Sequence, residues 1–259
     1  MNVRAEAEDG IVWITLDRPA KRNAMTDAMW AQLHDHLDAL DPGGRDRVLV
    51  ITGAGESFCG GSDVGGLLDD PESLPDRIEM SNRCVLAMHE LSIPTVALVD
   101  GVAAGSGANL ALACDLVYAT ERARFAQLFI RRGLSLDSGA SWLLPRLVGE
   151  RRARELCLLG GPVSAAEALT MGMINRVFDP EALVANGTEI ARSLAQSSPV
   201  ALAGTKQLLN DTWDHDLDGA LRAETFNQLE VITTDTARQN ISSFGGGAVT
   251  GNPLRGSGR

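Results

Sequence analysis

The fold is decided by one stretch of the chain, Thr95-Val-Ala-Leu-Val-Asp-Gly-Val-Ala-Ala-Gly-Ser-Gly-Ala-Asn-Leu-Ala-Leu-Ala-Cys-Asp-Leu-Val-Tyr-Ala119. Its first five residues are apolar or β-branched, as in a strand that is buried on both faces. A turn at Asp100-Gly101 follows, and the small residues from 105 to 113 predict a helix that can approach its neighbours closely. Residues 115–119 predict the next strand. This succession of buried strand, helix and strand indicates a layered α/β fold.

The same alternation continues on either side of that stretch. Apolar, β-branched runs predict strands at residues 11–16, 48–52, 123–127 and 174–177. Helical spacing of apolar residues predicts a helix that begins at Thr26-Asp27, and further helices at 76–91, 138–147, 150–159, 164–171, 181–195, 199–210 and 216–234. Strands and helices therefore alternate through the first two thirds of the chain, whereas the last third is helical. The glycine-rich tail from Gly245 onwards is predicted to be flexible.

Composition and charge narrow the class of protein. A chain of 259 residues can form one large domain that needs no metal or disulfide for stability. Its net charge of −11 argues against binding to nucleic acid or an anionic membrane, since both require clustered Lys and Arg. The N-terminus lacks an apolar signal core and no apolar run is long enough to span a bilayer, so we expect a soluble, cytoplasmic protein. Four cysteines and four histidines are scattered without metal-binding spacing.

Two glycine-rich turns are the first candidates for chemistry. They are Ser57-Phe-Cys-Gly-Gly-Ser-Asp-Val64 and Gly105-Ser-Gly-Ala-Asn109, and each follows a predicted buried strand. In open α/β sheets, ligands bind beyond the carboxyl ends of the strands, and glycines there expose backbone N–H groups. Two such turns that face each other could hold an oxyanion between two amides. The alternative is that they are only tight turns that permit close packing.

Asp137, within Gly133-Leu-Ser-Leu-Asp-Ser-Gly-Ala-Ser141, is the third candidate. It precedes a predicted helix and could be its N-cap residue, a position that aspartate often fills. Its carboxyl could equally act as an acid or base, and both roles are compatible because one oxygen can cap while the other faces a cavity. The sequence contains no G-x-S-x-G, H-E-x-x-H or nucleotide-binding loop motif.

Several separated motifs, in order over about residues 10 to 240, resemble the crotonase (enoyl-CoA hydratase/isomerase) superfamily. They are Arg18-Pro19 with Asn23-Ala-Met25, Val50-Ile-Thr-Gly53, Phe58-Cys-Gly-Gly-Ser-Asp63, the stretch from Pro94 to Asp115, and Ala168 with Gly172-Met-Ile-Asn175. The resemblance implies a spiral of β-β-α turns over residues 1–197 that binds acyl-CoA thioesters. It also implies a helical trimerisation region over residues 198–259, and hence a homotrimer or a dimer of trimers. No separate cofactor is implied, because coenzyme A arrives as part of the substrate.

The resemblance also implies roles for individual residues at the matching positions. The backbone N–H groups of Ser62 and Ser106 would form an oxyanion hole for the thioester carbonyl, without any need for their side chains. The remaining substrate and coenzyme A contacts that it implies are Arg22, Ala24, Gly60, Gly61, Asp63, Val64, Gly105, Asn109 and Phe129.

Departures from the family pattern bear on the reaction. Hydratases carry glutamates where this chain has Asn109 and Phe129, and neither residue can act as a general base. Simple addition of water is therefore not expected. Asp137 instead matches the aspartate of isomerase members, and the surrounding sequence looks most like the phenylacetate-pathway branch associated with isomerising 1,2-epoxyphenylacetyl-CoA and Δ3-enoyl-CoA. Leu136 and Ala140 depart from that group's Pro-Asp-x-Gly-Gly motif.

The chemistry that we expect is the transfer of one proton through an enolate. Amides aimed at the thioester oxygen stabilise the enolate that forms when C2 loses its proton. Asp137 would take that proton and return it at C4. We expect burial beside Leu128, Phe129 and Trp142 to raise the pKa of Asp137, which improves it first as a base and then as an acid.

Two other interpretations stay open. Chlorobenzoyl-CoA dehalogenases place an attacking aspartate near this position, but they need a partner histidine, and His89 falls at a different offset. A non-catalytic acyl-CoA binder would use Asp137 only as a cap. The chain lacks the C-terminal Lys-Arg stretch that approaches coenzyme A phosphates in many relatives, so we expect either that Arg22 or Arg255 fills that role or that the phosphates are held weakly. Cys59 is interpreted as a packed residue rather than a nucleophile.

Overall fold

The computed structural model describes residues 1–65 and 69–243. The strands are β1 (Val3–Glu8), β2 (Ile11–Leu16), β3 (Val48–Gly53), β4 (Ser57–Cys59), β5 (Thr95–Val99), β6 (Val102–Ala104), β7 (Leu116–Thr120), β8 (Arg124–Ala126), β9 (Pro162–Ser164) and β10 (Arg176–Phe178). The helices are α1 (Asp27–Asp38), α2 (Leu74–Glu90), α3 (Ser106–Leu112), α4 (Ala140–Val148), α5 (Glu150–Leu159), α6 (Ala165–Thr170), α7 (Leu183–Ala195), α8 (Pro199–Asn210), α9 (Leu217–Ile232) and α10 (Asp235–Ser243). Every predicted strand and helix is thus confirmed to within a few residues at its ends.

The strands form two sheets. The larger sheet has the order β1-β2-β3-β5-β7-β10, and its neighbours are parallel except for the antiparallel pair β1–β2. The smaller sheet has the order β4-β6-β8-β9, with only β9 antiparallel to its neighbour. Of the successive strands β3 and β4, β5 and β6, and β7 and β8, the first joins the large sheet and the second the small one. A helix follows each time (α2, α3 and α4), so the predicted β-β-α spiral is confirmed.

Both faces of the large sheet are covered, as the uninterrupted apolar runs predicted. β5 is buried along its whole length. On one face, Val96 and Leu98 belong to a cluster that includes residues of α7. On the other face, Ala97 belongs to the larger core that includes residues of α1, α2, α3 and α4. The close approach of α7 depends on Gly187, because a Cβ there would stand 2.5 Å from Leu98 Cδ1.

The sequence pattern does not predict β1, β4, β6, β9 or α10. β1 is exposed from Arg4 to Glu8 and alternates charged residues, so it shows no apolar periodicity. The other three strands have three residues each, too few for a period to be visible, and α10 buries none of its residues. α4 begins at Ala140 rather than 138, because Ser138 and Gly139 adopt positive φ angles of 51° and 79°.

The helices α8 and α9 follow the two sheets in sequence. α8 is joined to the core by the buried ammonium of Lys206, which donates to Asp115 Oδ2 at 2.9 Å and to Ile93 O at 3.3 Å. α9 packs against α8 but has no residue that is fully buried, and it leaves an exposed apolar surface. The large apolar side chains that it exposes are Leu217, Leu221, Phe226, Leu229 and Ile232.

Two predictions about the ends and the environment of the chain remain. None of the helices in the described ranges has the length and apolarity that crossing a bilayer requires. The tail from Gly245, with its predicted flexibility, and the candidate phosphate contact Arg255 lie outside the described residues.

Candidate active site

The first glycine-rich turn follows β4 and is held against residues 22–25 by backbone bonds. Gly60 N donates to Arg22 O at 2.8 Å, and Asp63 N donates to Met25 O at 2.7 Å. A Cβ at Gly60 would stand 3.3 Å from Arg22 O and 3.8 Å from Ala24 Cβ. The structure therefore places Arg22 and Ala24 directly beside Gly60.

Buried Asn23 fixes the shape of this region, a role that no feature of the sequence predicts. Its side-chain amide donates to Ala54 O at 2.9 Å and to Ser57 O at 2.6 Å, while its oxygen accepts from Arg18 N at 2.8 Å. The side chain of asparagine carries both a donor and an acceptor, and Asn23 uses both. In the sequence, it is marked only by its place in the motif formed by Arg18-Pro19 and Asn23-Ala-Met25.

Asp63 is paired within the turn. Its carboxylate accepts from Gly65 N at 3.0 Å and from the Arg18 guanidinium at 2.7 Å. The bond from Gly65, followed by that from Arg18, lowers the pKa of Asp63 below its ordinary value. Val64, the next residue, is exposed. Asp63 is thus an ionised structural anchor, and its position gives it no free proton to transfer near neutral pH.

The second glycine-rich turn connects β6 to α3. Gly105 has a positive φ of 53° and donates to Ala126 O at 2.8 Å. The ring of Phe129 lies over it, since a Cβ at Gly105 would stand 3.6 Å from Phe129 Cζ. Phe129 is 9% exposed and Ser106 is 2% exposed. The Phe129 ring therefore packs over Gly105, directly before the start of α3 at Ser106.

The two turns touch each other directly. Ser62 N donates to Ser106 Oγ at 2.8 Å, and the two hydroxyl oxygens are 2.9 Å apart. The indole N–H of buried Trp30 donates to Ser62 Oγ at 3.2 Å. The two glycine-rich turns predict that Ser62 and Ser106 lie together, but no feature of the sequence predicts the bond from Trp30. The resemblance assigns no role to the two serine side chains, whereas in the structure they hold the turns together.

Gly107 and Cys59 form the packing contact beneath these serines. A Cβ at Gly107 would stand 2.6 Å from Cys59 Sγ and 2.7 Å from Cys59 O, so only glycine fits. Cys59 is fully buried, its thiol contacts Asn23 O at 3.3 Å, and burial raises its pKa to about 12. Cys59 therefore stays a protonated, packed thiol near neutral pH, in agreement with the sequence interpretation.

Asp137 lies in the loop before α4, and the structure shows that it is not the helix N-cap. The cap position belongs to Gly139, which makes no side-chain cap bond. Asp137 Oδ1 instead accepts from the Ser138 hydroxyl at 2.8 Å. Burial raises the pKa of Asp137, and the bond from Ser138 partly opposes that rise. The capping interpretation is wrong, and the carboxyl keeps its second oxygen uncommitted among the described residues.

Asn109 ties the Asp137 loop to α3. Its side-chain N–H donates to Asp137 O at 3.1 Å, and its oxygen accepts from Gln127 Nε2 at 2.8 Å. The carbonyl of Asp137 requires a donor, so the Asn109 amide can face only one way, and this in turn fixes Gln127. Because Asn109 is one helical turn after Ser106, this bond sets the Asp137 loop against the start of α3.

A cavity of about 1270 Å³ adjoins this loop. Asp137, Ser138 and Trp142 line one side of it, and Asn82 and His89 of α2 line another. Asn82 Oδ1 accepts from Ser138 N at 3.0 Å, so Asn82 is the residue of α2 that lies beside the Asp137 loop. His89 is seven residues further along, about 10 Å by helical rise. The fold therefore separates His89 from Asp137, which disfavours a histidine–aspartate pair of the dehalogenase type.

Comparison with known proteins agrees with this geometry. The model of the enoyl-CoA hydratase/isomerase family matches residues 6–246. The chain is 36% identical to 1,2-epoxyphenylacetyl-CoA isomerase of Escherichia coli (strain K12), across 93% of this chain and 94% of that protein. It is 29% identical to short-chain-enoyl-CoA hydratase of Clostridium acetobutylicum, across 94% of each. The crystal structure of enoyl-CoA hydratase from Bacillus anthracis superposes with a TM-score of 0.90 at 29% identity, covering 95% of this chain and 96% of that one.

These likenesses cover the spiral core and both glycine-rich turns, and they show the crotonase fold that the motifs implied. The similar proteins include an isomerase and hydratases, all named for acyl-CoA substrates. Family, fold and the juxtaposed turns therefore agree on an acyl-CoA enzyme. The chain belongs to the enoyl-CoA hydratase/isomerase family.

Proposed function

We propose that this enzyme isomerises an acyl-CoA, either an enoyl-CoA or a ring-epoxide thioester, with Asp137 as the acid and base. The observation that carries the proposal is the half-buried Asp137 carboxyl, held through Asn109 against the helix that begins at Ser106. One oxygen of this carboxyl is held by Ser138, and its pKa is raised by burial. A single carboxyl of raised pKa suits a reaction in which one group first accepts and then donates a proton.

The proposed mechanism uses the residues around the two turns. The thioester oxygen lies where Ser62 and Ser106 meet, near their backbone N–H groups, which stabilise negative charge as the enolate forms. Asp137 takes a proton from C2 of a Δ3-enoyl-CoA, the double bond shifts into conjugation, and the same carboxyl returns the proton at C4. Phe129 covers the second turn and helps to exclude water that would hydrate the product.

Two positions argue against hydratase chemistry. Asn109 is committed to the Asp137 carbonyl and to Gln127, so it cannot activate water. Phe129 presents a ring, which has no basic atom. Addition of water needs groups that place and deprotonate it while a second site protonates the acyl chain. A single carboxyl on Asp137, with an amide at Asn109 and a phenyl ring at Phe129, is better suited to moving a proton within the substrate than to adding water.

The coenzyme A portion is proposed to run along the first turn. Arg22, Ala24, Gly60, Gly61 and Val64 would contact the pantetheine and adenine, with Asp63 holding the turn in place through Arg18. Arg22 is exposed and could reach a phosphate. On this proposal the enzyme needs no resident metal or further cofactor and acts in the cytoplasm.

The test is a substrate panel with the wild-type enzyme. We expect a Δ3-enoyl-CoA or a ring-epoxide acyl-CoA to be converted, measured by the absorbance of the conjugated product or by chromatography. A Δ3-enoyl-CoA deuterated at C2 should give a product with deuterium at C4, because the same carboxyl moves that deuteron from one carbon to the other. Faster hydration of a Δ2-enoyl-CoA would favour the hydratase, chloride release from 4-chlorobenzoyl-CoA would favour the dehalogenase, and thioester binding without proton exchange at C2 would indicate a non-catalytic binder. Any of these three results overturns the isomerase proposal.

Ser138→Ala is expected to move the acid limb of the pH profile upward. As a base, Asp137 is active when ionised, so kcat/KM falls as the pH drops through its raised pKa. The Ser138 hydroxyl lowers that pKa, so its removal raises the pKa and shifts the midpoint to higher pH. Ser81→Ala is the matched control, because Ser138 also contacts Ser81 Oγ at 3.3 Å without involving Asp137. A midpoint that is the same in all three proteins would contradict this assignment.

Residues 198–259 are proposed to form the trimer contact, beside a core of residues 1–197. The exposed apolar side chains of α9, among them Phe226 at 73% exposure, support this division. Phe226→Glu should shift the mass measured by analytical ultracentrifugation from trimer or hexamer towards monomer. Gln228→Glu adds the same charge about 200° around the helix and should not. A wild-type monomer, or equal shifts in both variants, would contradict the proposal.

A further inference from the structure

Four polar groups meet where the two turns touch. They are the Ser62 amide, the Ser62 hydroxyl, the Ser106 hydroxyl and the Trp30 indole N–H, joined by contacts of 2.8, 2.9 and 3.2 Å. Ser106 and Trp30 are each 2% exposed. Ser62 is half-buried. Bulk water therefore competes little for the bonds of Ser106 and Trp30, and their donors and acceptors have to be accounted for within the cluster.

One hydroxyl proton in this cluster has no partner. The indole and the amide can only donate, and each is paired with one hydroxyl oxygen. One of the two hydroxyl protons lies between Ser62 Oγ and Ser106 Oγ. Within residues 1–65 and 69–243, the other proton meets no acceptor, whichever serine carries it. A buried O–H donor is therefore left over at the point where the turns meet.

The direction of the bonds decides where that proton emerges. When they run from Trp30 through Ser62 to Ser106, the Ser106 oxygen accepts from both the Ser62 hydroxyl and the Ser62 amide. Both of its lone pairs are then filled and its own proton is the spare donor. An incoming oxygen that accepts this proton selects that direction, and each bond polarises the next.

We infer that the Ser106 hydroxyl donates to the thioester oxygen beside the backbone N–H of Ser106, in place of the Ser62 amide, which is bonded to Ser106 Oγ. This inference rests on the proposed function, because the hydroxyl would donate to the same thioester oxygen. In the unliganded protein the Ser62 amide is occupied by Ser106 Oγ, so the hydroxyl carries that amide's polarisation onward to the substrate. No proton leaves the serine: the hydroxyl donates a hydrogen bond that strengthens as the enolate oxygen becomes negative.

The opposite role for the same hydroxyl makes an opposite prediction. If Ser106 Oγ only blocks the Ser62 amide, the substrate has to displace this hydroxyl, and removal of the hydroxyl would strengthen substrate binding. If it donates to the thioester, its removal costs rate. Loss of one oxyanion donor costs about 10²-fold or more in kcat, and here backbone donors remain, so we expect Ser106→Ala to lose at least about tenfold in kcat with little change in KM.

Ser62→Ala is the matched variant. It removes a hydroxyl from the same cluster but leaves both backbone amides, and Ser106 Oγ still accepts from the amide of residue 62. We expect it to lose rate, but less than Ser106→Ala, because it removes the bond that polarises the Ser106 donor and keeps the donor itself. The second readout is the infrared stretch of the thioester carbonyl in bound ¹³C-labelled crotonyl-CoA. Its shift to lower frequency should be smallest in Ser106→Ala and intermediate between that variant and the wild type in Ser62→Ala.

The outcomes separate this inference from the proposed function. If the wild-type enzyme neither turns over an acyl-CoA nor shifts the carbonyl stretch, both the proposed function and the Ser106 donor are overturned. A wild-type shift that Ser106→Ala retains in full, or a Ser106→Ala enzyme that is as fast as the wild type or has a lower KM, overturns only the hydroxyl donor and leaves the two amides. A larger loss in Ser62→Ala than in Ser106→Ala would overturn the assignment of the donor to Ser106.

Discussion

Replacement of Asp137 by asparagine is expected to lower the turnover of a Δ3-enoyl-CoA by about 10²- to 10⁴-fold, the usual contribution of a general acid–base group. The reason is that Asn109 and Phe129 fill the other positions near the turns and neither can accept a proton. KM should change little, since the carboxyl acts on the moving proton and the thioester is held elsewhere. Steady-state assays that follow the absorbance of the product measure both kcat and KM.

The same variant should remain folded. Burial raises the pKa of Asp137 in the folded protein, so the ionised carboxylate favours unfolding as the pH rises from the ordinary carboxyl pKa through the raised one. Asparagine carries no charge, and its oxygen can still accept from Ser138. Asp137→Asn should therefore match or exceed the wild-type Tm at neutral pH, and any gain should vanish below about pH 4. Glu79→Gln, in the same cavity, is the activity control, and equal rates in Asp137→Asn and wild type would remove Asp137 from the mechanism.

Gly107→Ala is expected to disrupt the site and the fold together. Its Cβ would stand 2.6–2.7 Å from the Cys59 side chain and carbonyl, so α3 has to move away from the first turn. That overpacking costs about 1–3 kcal/mol of unfolding free energy. It also displaces Ser106 from Ser62, and a displacement of about 1 Å in a catalytic arrangement can cost about 10²-fold in rate.

The control is Gly161→Ala, where a Cβ would meet nothing within 4 Å. It should leave both Tm and rate close to wild type. Truncation of Cys59 to glycine in the Gly107→Ala background removes the sulfur and Cβ contacts and should recover part of the loss. A Gly107→Ala enzyme with full stability and activity would show that the two turns do not need to touch.

Much of the fold could be predicted because its strands are buried on both faces. Residues 48–51 of β3 and 96–99 of β5 include no polar side chain that could face water, so both strands required layers on both sides, and α7 and the larger core supply them. β1 could not be predicted in this way, because charged Arg4, Glu6 and Glu8 carry no periodicity and the strand is fixed by its backbone ladder to β2.

The part of the site that consists of backbone amides could be predicted from the sequence. Glycine-rich turns after buried strands indicate exposed amides, and Ser62 and Ser106 do meet. The side-chain bonds could not be predicted, because Trp30 and Ser62 are 32 residues apart and Asn109 and Asp137 are 28 apart in sequence. The capping interpretation failed for a local reason: the positive φ of Ser138 and Gly139 delays the start of α4 past the reach of the Asp137 carboxyl.

A crystal structure with bound butyryl-CoA, which has no double bond to move, would show whether the two turns hold the thioester beside Asp137. We expect the thioester oxygen within about 3.2 Å of a Ser106 donor or the Ser62 amide, and the Asp137 carboxyl facing the acyl carbon next to the carbonyl. A thioester oxygen more than about 5 Å from both serines, or an Asp137 carboxyl turned away into solvent, would contradict this expectation.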